Sequence, residues 1–91
     1  MLSIRWTEEA KMDLFALISF VASDNPSAAQ ALLTRIEESI LPAAYYPEMF
    51  REGRVPDTRE IIAHPNYIVV YKVTSEYLLV LSVLHARQRY P

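Results

Sequence analysis

Ninety-one residues, 52% apolar and 22% charged, with one glycine and no cysteine, describe a single folded domain spanning residues 1–91. This composition excludes a disordered chain, a disulfide scaffold and a thiolate metal site. A net charge of −2 and a pI of about 5.6 leave too few cations for a phosphate footprint, so direct DNA binding is not expected. The opening MLSIRWTEEA lacks the basic and apolar regions of a signal peptide. The apolar runs fall short of the roughly 18 residues that a membrane span needs. A cytoplasmic protein is expected, with no metal or other cofactor, since two histidines with twenty residues between them form no metal box.

The charge is unevenly spread. Residues 1–50 hold three basic and seven acidic side chains (−4), and residues 51–91 hold six basic and four acidic ones (+2). Five of those six cations are arginines, which suit bidentate contact with carboxylates and phosphates.

In chain order, Leu2, Ile4 and Trp6 recur at period two and predict a strand over Leu2–Trp6, with Trp6 in the core. Thr7 offers a capping hydroxyl, followed by Glu8 and Glu9 where a helix dipole favours anions. Leu14, Leu17, Ile18 and Val21 make one helical face. Asp24-Asn25-Pro26 stops that helix and starts another, with Asn25 as cap and Pro26 at the first helical position. Ala29, Leu32, Leu33, Ile36 and Ile40 form its stripe, so the two helices make an αα-hairpin. Pro42 ends or kinks the second helix near residue 41, Pro47 closes the segment, and residues 48–57 (EMFREGRVPD) read as a loop.

Three strands are predicted after it: Thr58–His64, Tyr67–Val73 and Tyr77–His85. Pro65-Asn66 is turn chemistry, which gives His64 a place at a hairpin end. Thr74-Ser75-Glu76 closes the second hairpin. Leu78–Leu84 is apolar on both faces except at Ser82, which predicts a central strand covered on both sides. The fold class is therefore α+β in the order β-α-α-β-β-β. The helical hairpin packs on one face of a small, mostly antiparallel sheet, and the other face is free as a concave working surface.

Five segments in this order resemble the ParE/RelE superfamily of toxins from type II toxin–antitoxin modules. They are Trp6-Thr7-Glu8-Glu9-Ala10, Asp24-Asn25-Pro26-Ser27-Ala28-Ala29, Gly53-Arg54-Val55-Pro56-Asp57-Thr58-Arg59-Glu60, Tyr67-Ile68-Val69-Val70-Tyr71-Lys72-Val73 and Val83-Leu84-His85-Ala86-Arg87. The resemblance implies a small bacterial or plasmid-encoded protein that arrests growth. It also implies a cognate antitoxin whose disordered tail wraps the toxin's helices and sheet. RelE-like members cut mRNA on the ribosome, whereas ParE-like members poison DNA gyrase.

Cleavage at a 2′-OH needs a general base, a general acid and cations around the charged phosphorus. The strand Thr58–His64 supplies only Arg59, Ile68 stands where many RNA-cleaving relatives carry arginine, and Lys72 lies near its strand's far end. That thin set favours the gyrase-directed branch. If the chain is a nuclease, Arg59, His85 and Arg87 are its catalytic candidates; a decayed toxin that only binds antitoxin is a third reading. For contact with target or antitoxin the candidates are Arg59, His85, Arg87, Arg89 and Tyr90, expected together at one rim of the sheet. Arg59-Glu60 also reads as an ordinary cross-strand charge pair.

Overall fold

Thr7 shows how the chain turns from strand to helix. In the computed structural model, which describes residues 1–90 and leaves Pro91 of the basic tail outside them, β1 (Ser3–Trp6) ends at Thr7. The Thr7 hydroxyl accepts the Ala10 N–H at 3.0 Å and caps α1 (Glu8–Ala22). The same hydroxyl donates to the Leu81 carbonyl, tying the helix start to the sheet. Asn25 caps α2 (Pro26–Ser39) by accepting from the Ala28 N–H, with Pro26 at the first turn as expected.

Pro42 does not simply end the helical region. It sits in the first turn of a short extra helix, α3 (Leu41–Tyr45), where its missing N–H costs nothing. The stretch read as a loop also holds a two-residue strand, β2 (Arg51–Glu52), held by pairing with β3 (Arg59–His64). β4 (Tyr67–Val73) and β5 (Tyr77–His85) follow.

The five strands run in the order β1-β5-β4-β3-β2, antiparallel except for the β1–β5 pair, so the sheet is mixed and β5 is interior. Helices α1 and α2 cover one face over a core of Ala10, Ile36, Ile40, Ile61, Val69, Tyr71, Leu78, Val80 and Val83. Trp6 is half-buried and packs against this core from its edge.

A bulge in β5 decides which side chains reach that core. Tyr71 pairs with Val80, but Val70 pairs with Ser82, so β5 carries one extra residue at Leu81. Above the bulge Leu78 and Val80 face the helices, and below it Val83 does. The backbone it frees is bound by α1: the Leu81 carbonyl accepts from Thr7, and the Val83 N–H donates to Asp13 Oδ2 at 3.0 Å.

The opposite face is not free along its whole length, contrary to the expectation. Residues 86–90 fold back over it. The Ala86 N–H donates to the Asn66 carbonyl at 2.7 Å, and Ala86 and Tyr90 pack on Ile68, Val70 and Leu84. Among the described residues, no helix is long and apolar enough to cross a membrane.

Two positions, Gly53 and Tyr71, test how the segment before β3 is held. Gly53 donates to the Thr58 carbonyl, and a Cβ there would lie 2.2 Å from Thr58 Oγ1 and 3.3 Å from its backbone carbon. Gly53→Ala must displace the buried Thr58 hydroxyl from the Val55 carbonyl, and should cost about 1–3 kcal/mol in urea unfolding. Tyr71 is fully buried and its hydroxyl donates to the Pro47 carbonyl. Burial raises its pKa above 10.0, and the Arg59 guanidinium offsets part of that. The folded pKa thus exceeds the unfolded one, so this stability is present below pH 10 and is lost as pH rises through the folded value. Unfolding free energy should decline in that alkaline window, and Tyr71→Phe should reduce the decline.

Candidate functional site

The expected cluster at one rim divides into three places. Arg59 pairs across the sheet with Tyr71 on the helix-facing side, while His85 pairs with Tyr67. These positions are four residues apart along β4, roughly 13 Å at about 3.3 Å per residue, and two strands apart across the sheet. Arg59 is half-buried, and its guanidinium donates to the Phe50 carbonyl at 2.7 Å and to the Glu48 carbonyl at 3.3 Å. Together with Tyr71 it forms the floor of a cleft of about 620 Å³ beneath residues 47–58. Its first role is to hold the chain between α3 and β2.

His85 stands at the other end, exposed, with its ring edge-on to Tyr67 at 5.5 Å between centroids. His64 flanks Tyr67 on the other side at 5.4 Å. Each histidine accepts a backbone N–H at Nδ1, His64 from Asn66 at 3.0 Å and His85 from Arg87 at 3.1 Å. Both imidazoles thereby shape turns, which is the hairpin role read for His64. The bulge turns His85 toward α1, where it borders a recess with Asp13, Leu17 and Phe20.

Tyr90 is directed inward rather than presented. Its ring lies under the Arg54 guanidinium at 4.5 Å, and its hydroxyl is buried with no hydrogen-bond partner among the described residues. Arg54 also donates to the Gln88 carbonyl at 3.3 Å. Below them Glu60, only 4% exposed, binds Arg51 at 2.8 Å. The cross-strand pair near Arg59 is therefore Arg51–Glu60, because Arg59 and Glu60 point to opposite faces. Of the expected five, His85, Arg87 and Arg89 are exposed, and Arg87 and Arg89 make no ion pair among the described residues.

The helices carry a surface that the apolar stripes did not reveal. Met12, Phe15 and Phe20 are 70%, 75% and 77% exposed on α1. Phe15 borders a groove of about 400 Å³ between the helices, lined also by Trp6, Leu14, Ile18 and Leu33, with Lys11 and Glu37 at its edge. Large apolar side chains lying off the Leu14–Leu17–Ile18–Val21 stripe were the available signal, since a helix with one buried face must expose them.

The family model described as the ParE toxin of the type II toxin–antitoxin system parDE matches residues 4–90. Y4kP of Sinorhizobium fredii, a toxin by name, is 35% identical over 89 residues, spanning 97% of this chain and 92% of its own. Toxin RelE2 of Caulobacter vibrioides is 30% identical over 88 residues, spanning 94% and 97%. Among solved structures, the chromosomal ParDE system of P. aeruginosa superposes with a TM-score of 0.82 at 21% identity, covering 93% of this chain and 96% of that one. The Helicobacter pylori protein HP0894 does so with a TM-score of 0.59 at 21% identity, covering 99% and 100%. The helical hairpin on a five-stranded mixed sheet is the fold they share. The chain belongs to the ParE toxin family of type II toxin–antitoxin systems.

Proposed function

We propose that this toxin arrests growth in the cytoplasm by protein–protein contact with DNA gyrase, and that a cognate antitoxin neutralises it. The observation that carries the first part is the dispersal of the nuclease trio. Arg59 is committed to the Phe50 and Glu48 carbonyls, while His85 and Arg87 lie at the other end of the sheet. An oxyanion-stabilising cation, a base and an acid must converge within hydrogen-bond reach of one phosphate. Separation of roughly 13 Å along the strand favours binding chemistry over bond cleavage. His85, Arg87 and Arg89 remain as exposed contact candidates at the start of the tail.

The second part draws on the interhelical groove. An exposed Phe15 beside Trp6 and Leu33 suits the apolar face of an amphipathic segment, which is how a disordered antitoxin tail gains affinity as it folds.

Purified toxin should inhibit gyrase supercoiling and accumulate cleaved DNA. Supercoiling untouched at saturating toxin, together with A-site cleavage on programmed ribosomes, would transfer the chain to the RelE-like mechanism. Arg87→Ala with Arg89→Ala should weaken growth arrest or antitoxin affinity by about tenfold with an unchanged melting temperature, because both side chains are exposed and make no ion pair among the described residues. Unchanged arrest and unchanged antitoxin binding would assign the tail a solubilising role only.

A further inference from the structure

The tail covers only part of the sheet's outer face, and the remainder has a distinct composition. Arg5 on β1, Leu79 on β5 and Lys72 on β4 are register partners and form one transverse row. Adjacent strands are about 4.8 Å apart, so the backbone positions of Arg5 and Lys72 stand about 10 Å from each other, with Leu79 between them. Arg5 lies over the ring of Tyr77, next along the same face, at 4.6 Å from its centroid. This contact holds the guanidinium over the ring, and no hydrogen bond to the described residues occupies its N–H fork, which suits bidentate capture of a carboxylate.

The other core-side and loop arginines are occupied by the protein itself. Arg35 donates to the Ala63 carbonyl, Arg59 to Phe50, and Arg51 and Arg54 to Glu60 and Gln88. Arg5 and Lys72 are exposed and have no carboxylate within 4.0 Å among the described residues.

We infer that this row is a docking surface for the arrested target, and that the target offers it an apolar side chain flanked by carboxylates. The inference rests on the reading that the chain acts by protein contact. A half-buried leucine between two free cations matches an acidic protein segment. A phosphate backbone matches poorly, because it would meet an apolar centre, only two cations and a molecule of net charge −2. The row also lies on the side of the sheet away from the interhelical groove, whose surrounding helices carry Glu8, Glu9, Glu37 and Glu38. The two faces thus suit partners of opposite charge, and one molecule can present each to a different protein.

The test is the double variant Arg5→Glu with Lys72→Glu, expressed alone for growth arrest and with the antitoxin for affinity. Arrest should fall by about tenfold or more, while antitoxin affinity stays within about threefold of the unaltered protein. Should the charge reversal prevent folding, as judged by circular dichroism, Arg5→Gln with Lys72→Gln takes its place and the same loss is expected. Full arrest by the folded variant overturns the inference, and so does a parallel fall in antitoxin affinity, which would give the face to the antitoxin. Binding of a single-stranded oligonucleotide by the unaltered protein, lost in the variant, overturns it in favour of nucleic acid. If the variant loses arrest but the unaltered toxin leaves gyrase supercoiling untouched, the docking row stands and gyrase is not its target.

Discussion

The extra residue at Leu81 sets the side-chain phase of β5, and most of the molecule's surface chemistry follows from that phase. An uninterrupted strand would carry alternation from Leu78 and Val80 on to Ser82 and Leu84, placing a hydroxyl in the core and His85 on the outer face. The bulge instead gives the core Val83 and gives the outer face Leu84. It is stable because α1 binds the freed backbone on both sides, through the Thr7 hydroxyl and the Asp13 carboxylate. Without such partners, buried amides and carbonyls would each cost about 1–3 kcal/mol. Helix capping, strand register and tail position are therefore one coupled arrangement rather than three.

That coupling explains what could be read in advance. Capping by Thr7 and Asn25, Pro26 at a helix start, the two hairpins and the interior position of β5 all depend on local chemistry or short-range pattern, and they stand as expected. The phase of a strand beyond a bulge depends on a helix about seventy residues earlier in the chain, which no local pattern encodes. Arg59 and His85 are divided by register instead, since they pair with Tyr71 and Tyr67 four residues apart on β4, and Tyr90 lies with Ile68, Val70 and Leu84 on the outer face. The short strand Arg51–Glu52 escaped for a similar reason, since two residues carry no periodicity and gain their conformation from β3. Pro42 was ambiguous because proline both ends one helix and opens another.

The division of charge along the sequence becomes a division between surfaces. Acidic side chains concentrate on the helical hairpin, whereas cations lie along the sheet's outer face and the tail that crosses it. Several arginines of the basic half are internal fasteners: Arg59 anchors the chain before β2, and Arg51 neutralises the buried Glu60. Counting cations in the sequence overstates what is available to a partner. What matters is which guanidinium groups keep their donors free, and this depends on whether a carbonyl or carboxylate has been folded within reach.

The parallel pairing of β1 with β5 has a consequence for how the protein comes into being. Residues 3–6 pair with residues 77–80, so the first strand gains its sheet neighbour only after more than seventy intervening residues have been made. The helical hairpin that separates them rests on contacts local in sequence, but without the later strands it has no sheet to pack on. The Thr7 and Asp13 groups likewise wait for residues 81 and 83. The outer row of the sheet and the anchored start of α1 therefore take shape only once residues 77–83 have been made.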